Sequence, residues 1–313
     1  MSLHAWHPFG IVKIVASMSS PADPVSSRVQ HPRWGAICML LSIAFFSANA
    51  LTLKSLSQSN VSPWVALFFR AAVGMVVVAT VFRPGGKLSF RRAMTDRMLA
   101  SRGLLGVLGT VAYYFTIAEL GPGKATLISN TYVVIAALMA VWFLKESFSA
   151  SKLMGNGLAL VGLGLLIASP TQLALFGWYE ALAVSGALAA AGTVIIIREL
   201  TRTESTAMIY TSQCVYVLAG ALPFALYELQ RQPVDMASFV VLVLAGISAT
   251  IGQLAMTEGF RHLTVAVGGA FQICVPVVIA IGGVAFFDET FTGPQIAGAM
   301  LILAGCYLVT VIR

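Results

Sequence analysis

The sequence predicts an all-α integral membrane protein: ten transmembrane helices in two inverted five-helix repeats (5+5), with both termini cytoplasmic. Three observations predict it. Hydrophobic residues make up 58% of the 313-residue chain and charged residues 10%, against roughly 25% charged in an ordinary soluble domain. Ten apolar stretches are long enough to cross a bilayer, and much of the second half repeats the first at an offset of 143 residues. With so few charges the chain cannot build a water-facing surface around one core, so lipid covers much of it. The formal net charge of +7 is then a matter of where cations lie across the membrane, and no nucleic-acid partner is read from it.

The first 32 residues read as an N-terminal cytoplasmic tail. "MSLHAWHPFGIVKIVASMSS" carries a short apolar patch, Phe9 to Ala16, interrupted by Lys13 and lacking a signal-peptide core and cleavage site. Met18 opens a more ordinary polar leader and is read as the translation start; an amphipathic surface helix is the alternative. A spanning helix needs about 20 mostly apolar residues. The candidates are 34–54, 62–82, 99–118, 123–144 and 152–169, then 176–197, 207–227, 237–258, 264–286 and 294–312. They divide into a first repeat, 33–170, and a second, 171–313. "LGPG" at Leu120–Gly123 and "FTGP" at Phe291–Pro294 are expected to be tight turns. The continuous apolar surface excludes a porin-like barrel, whose strands alternate.

Orientation follows from the loop cations. One side receives Lys13, Arg28, Arg33, Arg83, Lys87, Arg91, Arg92, Arg97, Arg102, Lys145, Lys152, Arg198, Arg202, Arg261 and Arg313, and the other only Lys54, Lys124 and Arg231. The positive-inside rule places the rich side, and both termini, in the cytoplasm.

At the 143-residue offset, 98–167 lies on 241–310 without a gap. Gly103/Gly246, Gly109/Gly252, Gly155/Gly298, Gly162/Gly305, Phe143/Phe286 and Glu146/Glu289 all match, and "WFLKESF" answers "FFDETF". Earlier, an offset of 144 pairs Trp34 with Trp178 and Lys54 with Arg198. Five spans per repeat is an odd number, so the second copy enters the membrane upside down. Inverted repeats of this kind are a feature of secondary transporters, with the site near the midplane where the halves meet. Gly155 and Gly162, like Gly298 and Gly305, recur seven apart on one helix face, where small residues let helices approach closely in lipid.

One charge stands inside a span. In "ALFFRAAVGMVVV", Arg70 lies about 12 Å from the start of its helix, where an arginine costs up to about 2.5–3.5 kcal/mol. Two readings compete: a structural arginine, with Glu180 as the expected partner, or a cavity arginine that attracts an anionic group such as a carboxylate. Asn49, Thr52, Tyr113, Tyr114, Asn130, Thr193, Gln213, Gln253, Thr257 and Gln272 also fall within spans and need a neighbouring helix or a wet cavity. Arg70, Tyr114, Asn130, Gln253 and Gln272 are the leading candidates for a substrate cavity, followed by Asn49 and Tyr113. Glu258, three residues before Arg261, is expected to pair with it. Glu180 and Glu258 are the carboxylates considered for pairing or ion coupling.

Other classes find little support. Cys38, Cys214, Cys274 and Cys306 each stand alone in apolar runs and read as small buried hydrophobes. His4, His7 and His31 lie in the tail and His262 reads as a loop residue, so neither a metal site nor a cofactor is predicted. No clustered catalytic constellation and no Walker motif is present, which argues against an enzyme or an ATP-driven pump. A channel would not need two inverted halves, and a receptor would carry a signalling module. Small-molecule, membrane and coupling-ion partners are expected, in a monomer or homodimer.

The chain after residue 33 resembles the EamA-type family of the drug/metabolite transporter superfamily. The resemblance is carried by "LFFRAAVG" in span two, "NTYVVIAALMAVWFLKES" and "QICVPVVIAIGGVAFFDET" in spans four and nine, and the trailing "GNGLALVGLGLLI" and "GAMLILAGCYLVTV". Many members have proline in both fourth helices. Pro276 fits that pattern, and Val133 at the matching place counts against a symmetric kink. The resemblance implies secondary transport of small organic solutes across the bacterial inner membrane by alternating access. Export of an amino acid or amino-acid-derived metabolite, an opine-type metallophore among them, is the leading expectation. Uptake of a vitamin such as riboflavin, or of a nucleotide-like metabolite such as S-adenosylmethionine, is the alternative.

Overall fold

The computed structural model describes residues 31–55, 61–82, 88–146, 149–167, 177–287 and 290–311. The expectations for the tail and the Met18 start fall outside these residues, as does Glu289, the repeat match of Glu146. Among the described residues twelve helices form and no strand: α1 (Pro32–Ser55), α2 (Pro63–Val81), α3 (Phe90–Thr95), α4 (Arg97–Asn130), α5 (Tyr132–Phe143) and α6 (Ala150–Ile167). The second half follows with α7 (Trp178–Leu200), α8 (Thr206–Arg231), α9 (Met236–His262), α10 (Val265–Ile273), α11 (Val275–Phe287) and α12 (Gly293–Val311).

The helix starts have local causes. Ser62 accepts from the Trp64 amide with Pro63 in the first turn. Asp96 caps α4 through the amides of Met98 and Leu99, both at 3.0 Å, and Asp235 caps α9 through Ala237 and Ser238. Each satisfies amides that have no partner inside the helix.

Leu120–Gly123, where a turn was expected, fall within the helical bounds of α4. The chain nevertheless folds back between Tyr113 and Thr126. The Tyr113 hydroxyl lies 3.1 Å from Thr126 Oγ1, whereas residues so spaced on a straight helix are about 20 Å apart. α4 therefore contains span three, the bend and the start of span four. Phe291 and Thr292 precede α12 as non-helical residues, in keeping with the second expected turn.

Spans four and nine are each broken once, and at equivalent residues. Thr131 separates α4 from α5 and Cys274 separates α10 from α11. At both breaks the amide turns to the carbonyl three residues back, Thr131 to Ile128 and Cys274 to Phe271. The next bonds match as well: Val134 and Ile135 donate to Thr131, and Val277 and Val278 to Cys274. The kink is thus symmetric, against the expectation drawn from Val133. In the first repeat the Thr131 hydroxyl donates to Ile128 O at 2.6 Å, a side-chain bond that competes with the ladder and opens the helix without proline.

The principal neighbour of most spans comes from the other repeat. α1 packs on α9 as α7 packs on α4, while α2 pairs with α8 and α6 with α12. Exchanging the repeats maps each pairing onto another or onto itself, which is the two-fold relation that inverted copies require. The α6–α12 crossing shows the inversion directly. A Cβ on Gly162 would lie 2.6 Å from Gly298 O, and one on Gly155 would lie 2.9 Å from Gly305 O. The pairs are exchanged relative to the sequence register, so these two helices run antiparallel.

The outer surface is apolar. Trp142, Phe286, Trp178 and Phe143 are each at least 70% exposed, a surface suited to lipid and its interfaces. Among the described residues eight helical segments, one of them α10 with α11, are long and apolar enough to cross a membrane, and two shorter apolar ones, Ile128–Phe143 and Ala150–Leu166, complete the ten.

Candidate functional site

Arg70 lines a narrow cleft with Leu67, Ala71, Thr110, Tyr210, Gln213 and Cys214. It is half-buried and makes no hydrogen bond or ion pair among the described residues. Glu180, expected as its partner, is engaged at its own helix start, where it accepts the Gly177 amide at 2.8 Å. Tyr114 packs with Leu67, Ala71 and Val217 on the same side of the bundle. The α2–α4–α8 region thus gathers Arg70, Tyr114 and Gln213.

A second arginine belongs to this region. Arg102, counted above among the loop cations, stands one turn inside α4 and is only 1% exposed. Its Nη2 donates to Gln213 Oε1 at 2.7 Å, while Nε and Nη1 have no partner. Gly106 leaves the room that this guanidinium fills, since a Cβ there would lie 2.6 Å from Nη1. Gln213 links the two arginines, since it bonds to Arg102 and lines the cleft that contains Arg70. No described carboxylate lies within ion-pair distance of either. The signal was present in the sequence: residue 102 falls inside the span 99–118.

The remaining predicted residues are not drawn into that cleft. Asn49 donates to Ala245 O at 2.8 Å and ties α1 to α9. Gln272 Nε2 reaches Ser42 Oγ at 3.2 Å and Met39 Sδ at 3.4 Å. Gln253 is buried on α9 with Nε2 unpartnered. Asn130 bonds back to Thr126 O within its own helix, and Tyr113 meets Thr126. Of the four thiols, Cys274 and Cys306 are not solitary, since their Sγ atoms lie 3.1 Å apart.

Charged groups tie helix ends together at one end of the bundle. Arg198, in the last turn of α7, donates to the carbonyls of Phe260 and Arg261, both at 2.7 Å. Its Nε lies 3.7 Å from Glu146 Oε1. Glu146 also accepts the Val265 amide at 3.2 Å and so caps α10 from a different segment. Glu146 follows Lys145, whose φ of 55° turns the chain sharply after α5. Burial raises the Glu146 carboxyl above its usual range, opposed by Arg198. Glu258 accepts from the Thr206 hydroxyl at 2.5 Å and lies 3.5 Å from Arg261 and 3.3 Å from His262. His262 is the last residue of α9 and a hydrogen-bond partner of Glu258, where a loop was expected. Arg92 pairs with Glu204 at the same end.

Comparison with known proteins agrees with this architecture. The chain is 26% identical over 273 residues to the pseudopaline exporter CntI of Pseudomonas aeruginosa, covering 86% of this chain and 93% of that protein. It is 25% identical over 228 residues to a probable amino-acid metabolite efflux pump of Salmonella typhimurium, covering 67% and 75%. A solved crystal structure superposes with a TM-score of 0.74 at 17% identity, over 89% of this chain and 98% of that one, and shares the fold. The profile of the EamA-like transporter family matches residues 33–168 and 177–311. The chain is a multi-pass inner-membrane protein and belongs to the EamA-like transporter family.

Proposed function

We propose that this protein is a secondary active exporter of an acidic, amino-acid-derived metabolite, of the opine-type metallophore class, working by alternating access. The observation that carries the proposal is the match along nearly the whole chain to a pseudopaline exporter. The two unpaired arginines support an acidic solute. On the loop-cation count both termini are cytoplasmic, and the end tied together by Arg198, Glu146, Arg261 and Glu258 is the cytoplasmic one. The solute would occupy the region around Arg70, about 10 Å inside α2. The inverted repeat supplies the alternation: exchanging the conformations of the two halves opens one end as it shuts the other.

The test compares metabolite profiles of cells and medium for a gene deletion complemented by wild type or by Arg70→Ala. An acidic solute that accumulates inside the deletion strain and is lost from its medium supports export. A solute taken from the medium only when the gene is present reverses the direction. Wild-type behaviour of Arg70→Ala removes Arg70 from the site.

A further inference from the structure

We infer that Arg102, oriented by Gln213, is a binding residue for a carboxylate of the transported solute, on the path to Arg70. The inference rests on the exporter reading above and gives its site a second anchor. Arg102 is fully buried, yet two of its nitrogens have no partner. A guanidinium carries five N–H donors and stays charged. An uncompensated buried charge costs several kcal/mol unless an opposite charge meets it. The chain supplies none, because no described carboxylate lies within ion-pair distance of Arg102. An arginine serving only structure would be expected to have such a partner, as Arg198 has in Glu146.

Gln213 makes the connection to the cleft. Its side chain holds Arg102 at 2.7 Å, and the same residue lines the cleft that contains Arg70. Arg102 lies about 8 Å in from the start of α4 and Arg70 about 10 Å in from the start of α2, and these two helices start at opposite ends of the bundle. A solute entering from the end where α4 begins meets Arg102 first and Arg70 next. Arg102 and Gln213 also come from opposite repeats, so movement of one repeat against the other changes the grip on the anion. The planar guanidinium favours carboxylate, which it can bind through two N–H groups at once. An opine, a secondary amine bearing two carboxylates, presents one such group to each arginine.

The test uses the purified full-length protein in detergent, with N-(1-carboxyethyl)alanine and its uncharged diamide as probes and thermal unfolding as the readout. Gln213→Glu places a carboxylate against Arg102. It should raise the ligand-free Tm by several degrees and abolish stabilisation by the diacid. Arg102→Gln should weaken the response to the diacid about tenfold or more. The diamide should leave wild type unchanged. A Gln213→Glu protein no more stable than wild type overturns the inference, as does a wild type that ignores the diacid. Equal stabilisation of wild type and Arg102→Gln removes Arg102 while leaving acidic-metabolite export standing. Expected shifts in vitro, with no export phenotype in cells, would keep the anion site and remove the export reading.

Discussion

Gly162 and Gly298 meet backbone to backbone where α6 crosses α12. A Cβ on Gly298 would lie 2.5 Å from Gly162 O and 2.4 Å from the Leu166 amide nitrogen. In lipid no hydrophobic force draws two apolar helices together, so close packing and weak polar contacts at such a crossing do the work. The contact joins the last span of one repeat to the last span of the other, which makes it part of the frame around which the site is built.

Gly162→Ala should therefore destabilise the protein. The added methyl meets a backbone that cannot yield locally, so the helices must separate, at about 1–3 kcal/mol. Gly157→Ala on the same helix is the control. A Cβ there has nothing within 4 Å, and better helix propensity should hold or raise stability by up to about 1 kcal/mol. Thermal unfolding in detergent separates the two.

The breaks in spans four and nine make a second prediction. Pro276→Ala should leave the break at Cys274 in place, since the first repeat makes the same break with Val133. Thr131→Val should remove the 2.6 Å bond to Ile128 O and cost about 1 kcal/mol. Spin-label distances across each break, and unfolding of both variants, report the outcome. Straightening of α10–α11 in Pro276→Ala would show that proline, and not the shared register, sets the second kink.

Much of the fold was legible because its signals are local. Apolar length marks the spans, and the seven-residue glycine spacing marks a packing face. The 143-residue register even carries the hidden equivalence of Thr131 and Cys274. The kink itself was not legible, because a threonine hydroxyl bonding to its own helix gives no pattern as plain as a proline. The site was legible in part. Arg70 stood out as a charge deep in an apolar run, whereas Arg102 sits five residues inside its helix, where loop and span look alike in composition. The partners of Gln272, Asn49 and Glu146 are more than a hundred residues distant, a relation that spacing does not encode.

Arg198 should be the most sensitive residue at the end tied by charged groups. Arg198→Gln leaves the Glu146 carboxylate without its cation and the carbonyls of Phe260 and Arg261 without their donor. Both side chains are mostly buried, so the expected cost is about 3 kcal/mol. The double variant Arg198→Gln/Glu146→Gln should recover part of that loss, because it removes the stranded charge. Additive losses in the double variant would mean that the two side chains act independently.

The same end should respond to pH with a definite sign. Burial raises the carboxyls of Glu146 and Glu204 above their ordinary value near 4.5. Arg198 and Lys152 oppose the shift at Glu146; Arg92 opposes it at Glu204, where Asp96 adds to it. Between 4.5 and the raised values the folded protein holds protons that the unfolded chain has released. Stability from these groups therefore falls as pH rises through that window and is constant above it. Wild type should show a Tm component that declines as pH rises from about 4.5, and the Glu146→Gln/Glu204→Gln variant should flatten it. A Tm component that instead rises with pH in wild type and is lost in the variant would mean that the cations outweigh burial at this end, with both carboxylates held below their ordinary range.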